Sequence, residues 1–283
     1  MMRIATDTCR DGTTSASLRR APCADGLPRA NAGKIQTVLS LAGAIILFLG
    51  LGAAAQADCV RTQYQDKSYT HCTAKAGDDL RLFLYANETQ VYGNFRTLDE
   101  ALAREGKKLA FAMNGSMYHP DRSPVGLFIE AGVERSRLVT REGPGNFGLL
   151  PNGVFCIQPA RFVLIETLSF ASDRPDCHYA AQSGPMLVID GVFHPRFIAE
   201  SDSRLIRNGV GVSADGTRAI FVISNSPVNF YEFAGFFRDY LGLPQALYID
   251  GNISRLHAPG LRRSDWGTLL GPIVGKVVDL TAP

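Results

Sequence analysis

Four short segments in this chain end an apolar run with a glycine and a polar side chain. They are Asn114-Gly115-Ser116-Met117, Ser183-Gly184-Pro185, Arg207-Asn208-Gly209-Val210-Gly211 and Asp250-Gly251-Asn252-Ile253-Ser254. Strand-end loops are where sheet proteins present functional groups, because the sheet fixes the group while the loop leaves it accessible. The side chains on offer are a carboxylate (Asp250), a guanidinium (Arg207), amides (Asn114, Asn252) and hydroxyls (Ser183, Ser254). That set suits acid–base work on a polar substrate, with a cation to hold an anionic group. Taken singly, each segment also reads as a plain turn, since Asn-Gly and Asp-Gly are turn dipeptides first. A serine triad of Ser183, His257 and Asp250 lacks the required elbow, because Ser183 stands in Ala-Gln-Ser-Gly-Pro. A hard cation such as calcium suits Asp250, Asn252 and backbone carbonyls, but no dense acidic loop accompanies them, so no cofactor is assigned.

The elements that position these segments follow from periodicity. Residues 60–69 and 80–85 read as strands, and 97–105 as a helix with Thr97 and Glu100 as its capping box and Gly106 as its stop. Residues 109–113 form a short apolar strand running into Asn114-Gly115. Strand-like stretches follow at 126–130, 148–151, 154–157, 161–166, 181–182 and 186–189, separated by turn dipeptides. Residues 209–213 and 219–223 bracket Asp215-Gly216 as a hairpin. Residues 229–241 carry a one-sided aromatic stripe and read as a helix, stopped by Gly242 and followed by a strand at 246–249. Glu130 and Glu166 fall in strands and receive no role. The expected fold class is α+β, a mixed α/β single domain with a mostly antiparallel sheet and few helices.

The order of the four segments resembles that of the phosphodiester glycosidase family, which includes the animal "uncovering enzyme" and exopolysaccharide-related bacterial members. The family runs N-G-G-[FM], S-G-P, R-x-x-[IV]-G, then a helix leading into D-G-G-x-S, and the match here spans roughly residues 80–280. The chain departs from it at Ser116 and Asn252, each standing where the family has a second glycine. The resemblance implies a hydrolase that cleaves the sugar–phosphate bond of a sugar-1-phosphodiester or related envelope glycan. It implies Asp250 as the carboxylate that stabilises an oxocarbenium-like centre or activates water. Arg207 would grip the phosphate with a two-pronged charged hydrogen bond. Asn114, Ser183, Gly184, Asn252 and Ser254 would line or orient the substrate, with His119 and His257 as proton donors. On this reading Asp250→Asn and Arg207→Ala abolish turnover and leave the fold intact. A non-catalytic glycan- or phosphate-binding protein, or an exopolysaccharide assembly factor on the same scaffold, is the rival.

Residues 1–57 read as a leader, 58–79 as an N-terminal extension and 80–283 as the main domain. Residues 35–52 carry no charge, Lys34 precedes them, and Ala55-Gln56-Ala57 supplies small residues for cleavage before Asp58. The same run is long enough to remain as an inner-membrane anchor. The expected location is the periplasm or the exterior, with membrane contact only through an uncleaved leader. The leader holds six Lys/Arg and three Asp/Glu, leaving 23 basic and 24 acidic side chains beyond it, a net charge of about −1. That balance excludes the concentrated basic face of a nucleic-acid binder. Four cysteines follow the leader, and locality favours Cys59–Cys72 and Cys156–Cys177 as disulfides.

Overall fold

A computed structural model describes residues 58–282. The expected leader, its apolar run and Cys9 and Cys23 lie outside the described residues. Among the described residues no helix is long and apolar enough to cross a membrane.

With strands numbered along the chain, the first sheet has the order β1 (Cys59–Tyr64), β2 (Lys67–Lys75), β13 (Arg218–Ser224), β12 (Asn208–Val212), β14 (Gln245–Asp250), β10 (Met186–Ile189) and β11 (Val192–Phe193). The second runs β16 (Arg263–Ser264), β15 (Leu256–Ala258), β4 (Lys107–Asn114), β17 (Ile273–Asp279) and β3 (Asp79–Phe83). The third runs β6 (Val133–Ser136), β5 (Phe128–Glu130), β9 (Tyr179–Ser183), β7 (Gly153–Gln158) and β8 (Arg161–Glu166). The pairings within these sheets are antiparallel. The fold is therefore α+β, with antiparallel sheets and few helices, as the sequence predicts.

The three sheets share one core. Phe221 and Leu247 come from the first sheet, Leu82, Phe111 and Val274 from the second, and Phe128, Phe155 and Leu164 from the third. Each outer face is covered by a helix. Phe233, Phe236 and Phe237 of the aromatic segment close the first sheet. Helix α1 (Phe95–Ala103) buries Phe95, Leu98 and Leu102 against the second, and α2 (Thr167–Asp173) buries Phe170 against the third. Burying both faces of a sheet is what allows strands such as Arg218–Ser224 to be apolar along nearly their whole length.

The structure corrects several local expectations. The strand expected at 60–69 is a hairpin, turning at Gln65-Asp66 with positive φ at both residues, as a type I′ turn requires. That hairpin makes residues 59–75 an edge of the first sheet, β2 pairing β13 from Tyr69 to Lys75. Helix α1 starts at Asn94, whose side-chain oxygen accepts from the Thr97 amide at 2.9 Å, so Asn94 is its cap instead of Thr97. Residues 148–151 turn, because Gly148 packs directly on the Gly143 backbone. The aromatic helix is α-helical only over α3 (Phe230–Gly235) and continues as a π-type turn over Phe236–Tyr240, closed by Leu241 N to Phe236 O at 3.0 Å. The wider turn leaves Tyr240 half exposed, stacked on Phe236. The inner strand β17, between β4 and β3, is not anticipated: Gly275 weakens its strand propensity, yet a side chain there would come 2.8 Å from Leu109 Cδ2.

Both expected disulfides are present, Cys59–Cys72 across the first hairpin and Cys156–Cys177 tying β7 to the segment before β9. The second closes 21 residues of sequence separation, a loop whose cross-link is worth about 3 kcal/mol by the chain-entropy estimate. Cys156→Ala/Cys177→Ala is expected to lose stability of that order in urea unfolding, with its fold retained at room temperature.

Candidate active site

The four segments meet at one end of the sheets and are hydrogen-bonded to one another. Asn114 ends β4 and Asn208 begins β12. The Asn114 Nδ2 donates to Asn208 Oδ1 and the Asn208 Nδ2 donates to the Asn114 carbonyl, each at 3.1 Å. Asn208 stands opposite Asp250 in the β12–β14 register. Ser183, at the end of β9, donates to the Ile249 carbonyl at 3.2 Å. Ser116 donates to the Gln182 carbonyl at 3.3 Å, so its hydroxyl joins the first segment to the second. Ser254 donates to the carbonyls of Ile206 and Asp250 at 2.8 and 3.0 Å. Asn114, Ser116, Ser183 and Asn208 are buried, with their polar groups spent on one another, as interior polar groups must be.

Above this polar floor lies a pocket of about 250 Å³. Met117 from the first segment and Tyr118 just after it form one wall, Asp250, Asn252 and Ile253 from the fourth another, and Val125, Asn146 and Tyr248 complete it. Asp250 is the only carboxylate among these lining residues. Its Oδ1 accepts from the amides of Gly251, Asn252 and Ile253 at 2.6, 2.8 and 3.3 Å. The turn thus holds one carboxylate oxygen and leaves Oδ2 outside those bonds. Two phenols flank it. Burial and then the Asp250 charge raise Tyr118 above the usual phenol range. Burial pushes Tyr248 up to about 12, with the Asp250 charge adding to the rise against the opposing Arg207 charge. Both phenols stay protonated at neutral pH and serve as hydrogen-bond donors.

Arg207 lies behind Tyr248 and does not line the pocket. It is 1% exposed, with its guanidinium 3.9 Å over the Phe230 ring. Nε donates to the Val228 carbonyl and Nη2 to the Ser203 carbonyl, both at 2.9 Å, while Nη1 has no partner among the described residues. Two of its nitrogens are therefore committed to backbone carbonyls, and the side chain is not set to meet a phosphate in the pocket with the two-pronged grip that the resemblance implies. Gly251 sits against Arg207 Nη1: a side chain there would fall on the Tyr248 hydroxyl and come 3.4 Å from that nitrogen. Gly251→Ala is expected to push Tyr248 out of place, costing about 1–3 kcal/mol of stability by overpacking and most of the activity. Thermal unfolding and turnover measured on one preparation check both effects.

The remaining predicted residues divide clearly. Asn252 lines the pocket and is exposed, whereas Gly184 packs on Asn152 below it. His119 is exposed on the loop after the first segment and is not among the lining residues. His257 lies on the α1-covered face of the second sheet, 5.7 Å from the Phe95 ring and bonded to Ser264 at 2.9 Å. Neither histidine is placed to transfer a proton in this pocket. The groups gathered on Asp250 Oδ1 are N–H donors, so that oxygen is committed to the turn. Among the described residues no group of three or more His, Cys, Asp or Glu is arranged to hold a metal. Tyr118, Asn146 and Tyr248 were not singled out by sequence reasoning. Tyr248 was within reach of it, because it stands two residues before Asp250 on one strand and so shares its face.

Comparison with known proteins bears on the fold and the family. The phosphodiester glycosidase family model matches residues 107–257. The uncharacterized protein YigE of Escherichia coli strain K12 is 31% identical over 215 residues, covering 76% of this chain and 84% of its own. Among solved structures, the catalytic domain of zebrafish N-acetylglucosamine-1-phosphodiester alpha-N-acetylglucosaminidase, auto-inhibited by its pro-peptide, aligns with a TM-score of 0.51 at 13% identity. That alignment covers 77% of this chain and 81% of the zebrafish one. A putative exported protein from Burkholderia pseudomallei aligns with a TM-score of 0.50 at 10% identity, over 74% of each chain. The structural likenesses carry the fold. The matched region contains all four segments, and with it the chain belongs to the phosphodiester glycosidase family.

Proposed function

We propose that the protein is an exported hydrolase that cleaves the bond between the anomeric carbon and the phosphate oxygen of a sugar-1-phosphodiester or a related envelope glycan. The observation that carries this reading is the single carboxylate of the pocket, Asp250, fixed by three amides and flanked by two protonated phenols. An ordinary glycosidase needs two carboxyl groups, one of them to protonate a poor leaving group. A phosphate departs as a stable anion, so one carboxylate suffices. Water adds to C1 and the C1–O bond breaks, its electron pair leaving on the phosphate oxygen. Asp250 offsets the positive charge developing at C1 and takes the proton of the incoming water. Free sugar and a phosphate monoester result. Tyr248 donates to the departing phosphate, and the buried Arg207 charge behind it favours the anion. Asn252 contacts the substrate, while Asn114, Ser183 and Ser254 hold the floor on which Asp250 stands.

Export is supported by the two disulfides, which persist in oxidising compartments, and by the similar Burkholderia pseudomallei structure described as a putative exported protein. The test is incubation of the domain from Asp58 onward with UDP-N-acetylglucosamine and a panel of sugar-1-phosphodiesters, with detection of free sugar. A second reading, saturable glycan or phosphate binding without turnover, is favoured by Asn252, whose side chain stands at the pocket wall where the family has glycine. Binding across the panel with no sugar released would establish that second reading.

A further inference from the structure

Beside the pocket, the loop that follows β16 carries Trp266, which is 93% exposed, with Leu269 half exposed behind it. An indole so open to water on a well-anchored loop is unusual, because tryptophan is ordinarily mostly buried. The anchors come from the active-site segments themselves. Tyr118 Oη donates to the Leu269 carbonyl at 3.3 Å. Arg255, the residue after Ser254, bonds the Thr268 carbonyl and hydroxyl and packs on Gly267. Leu270 is buried, and its amide donates to the Gly93 carbonyl at 2.7 Å. Trp266, Arg255, Arg96 and Phe95 line a second cavity of about 400 Å³. It adjoins the first: Ile253 lines one and Arg255 the other, two residues apart, or at most about 7 Å along the chain. The second cavity is cationic. Arg96 is exposed and only loosely paired to Glu100 at 3.7 Å, whereas the Asp265 carboxylate is occupied by Arg263 and the Leu256 amide.

We infer that this second cavity is a subsite for a sugar ring on the far side of the substrate's phosphate, stacked on Trp266 with anionic groups facing Arg96. Continuity with the Asp250 pocket favours this occupant over a membrane surface or a protein. The inference deepens the glycosidase reading and rests on it for the substrate class, but its test does not depend on turnover. Trp266 is the chain's only tryptophan, so its fluorescence reports this cavity alone. The probes are N-acetylglucosamine 1-phosphate esterified to methanol and the same phosphate esterified to a disaccharide.

The disaccharide diester is expected to move the emission to shorter wavelength with saturation, and the methyl diester to leave it unchanged. By calorimetry, Trp266→Ala is expected to bind the disaccharide diester at least about tenfold more weakly, the scale of losing one aromatic contact. Its binding of the methyl diester should match that of the wild type. The inference is overturned if calorimetry records no binding of the disaccharide diester, or if binding leaves the emission unmoved. It is also overturned if vesicles of phosphatidylcholine and phosphatidylglycerol in equal parts shift the emission while the glycan does not. The expected fluorescence with no sugar released by any diester would keep the subsite and discard the glycosidase reading.

Discussion

Asp250→Asn is expected to lower sugar release by about 10³-fold or more, the scale of removing a key electrostatic group from a transition state, with the unfolding temperature unchanged. The separation of the two effects follows from the geometry. Asp250 Oδ1 accepts from three consecutive amides, and an asparagine carbonyl oxygen in the same place accepts from the same donors. The turn keeps its shape, and Gly251 stays against Tyr248. What disappears is the negative charge and the ability to take a proton from water. A variant that lost activity and stability together would mean that the carboxylate acts chiefly as scaffold. A fully active variant would remove Asp250 from the chemistry.

Arg207→Ala is expected to behave differently, losing about 3–5 kcal/mol of stability, the scale of a large buried side chain truncated to alanine with two buried carbonyls left without donors. The side chain is among the largest of the fully buried ones. Truncation leaves the Val228 and Ser203 carbonyls without their donors and opens space beneath Phe230 and Tyr248. For a domain of this size the midpoint falls by roughly 2–4 °C per kcal/mol, so thermal unfolding reads the change easily. Loss of activity in Arg207→Ala therefore cannot be assigned to phosphate binding. Arg207→Lys separates the roles, because it keeps a positive charge behind Tyr248 while losing the planar fork that reaches two carbonyls. Its turnover, compared at a temperature where it is fully folded, measures what the charge contributes.

The strand ends were legible because each pairs an apolar run with a glycine and a polar group, and the four do converge. Local sequence could not reveal which polar groups face the cavity. Asn114 and Ser183 look like ligand contacts in the chain, yet both are buried ties between segments far apart in sequence. Arg207 reads as a phosphate grip through the family resemblance, and arginine is seldom fully buried. Its burial depends on Phe230 and Tyr248, supplied by the aromatic helix and by β14. Asn146 reaches the pocket from a glycine-rich loop outside all four segments, and no spacing rule links it to Asp250. His257 stood close to the fourth segment in sequence, but β15 turns it beneath α1.

In the proposed reaction the bond broken is the one at the anomeric carbon. The direct measurement is hydrolysis of a sugar-1-phosphodiester in ¹⁸O-labelled water, with both products examined by mass spectrometry. The account predicts the label in the free sugar and none in the phosphate monoester, with the reaction lost in Asp250→Asn. Label in the phosphate would contradict it, since water would then have attacked phosphorus.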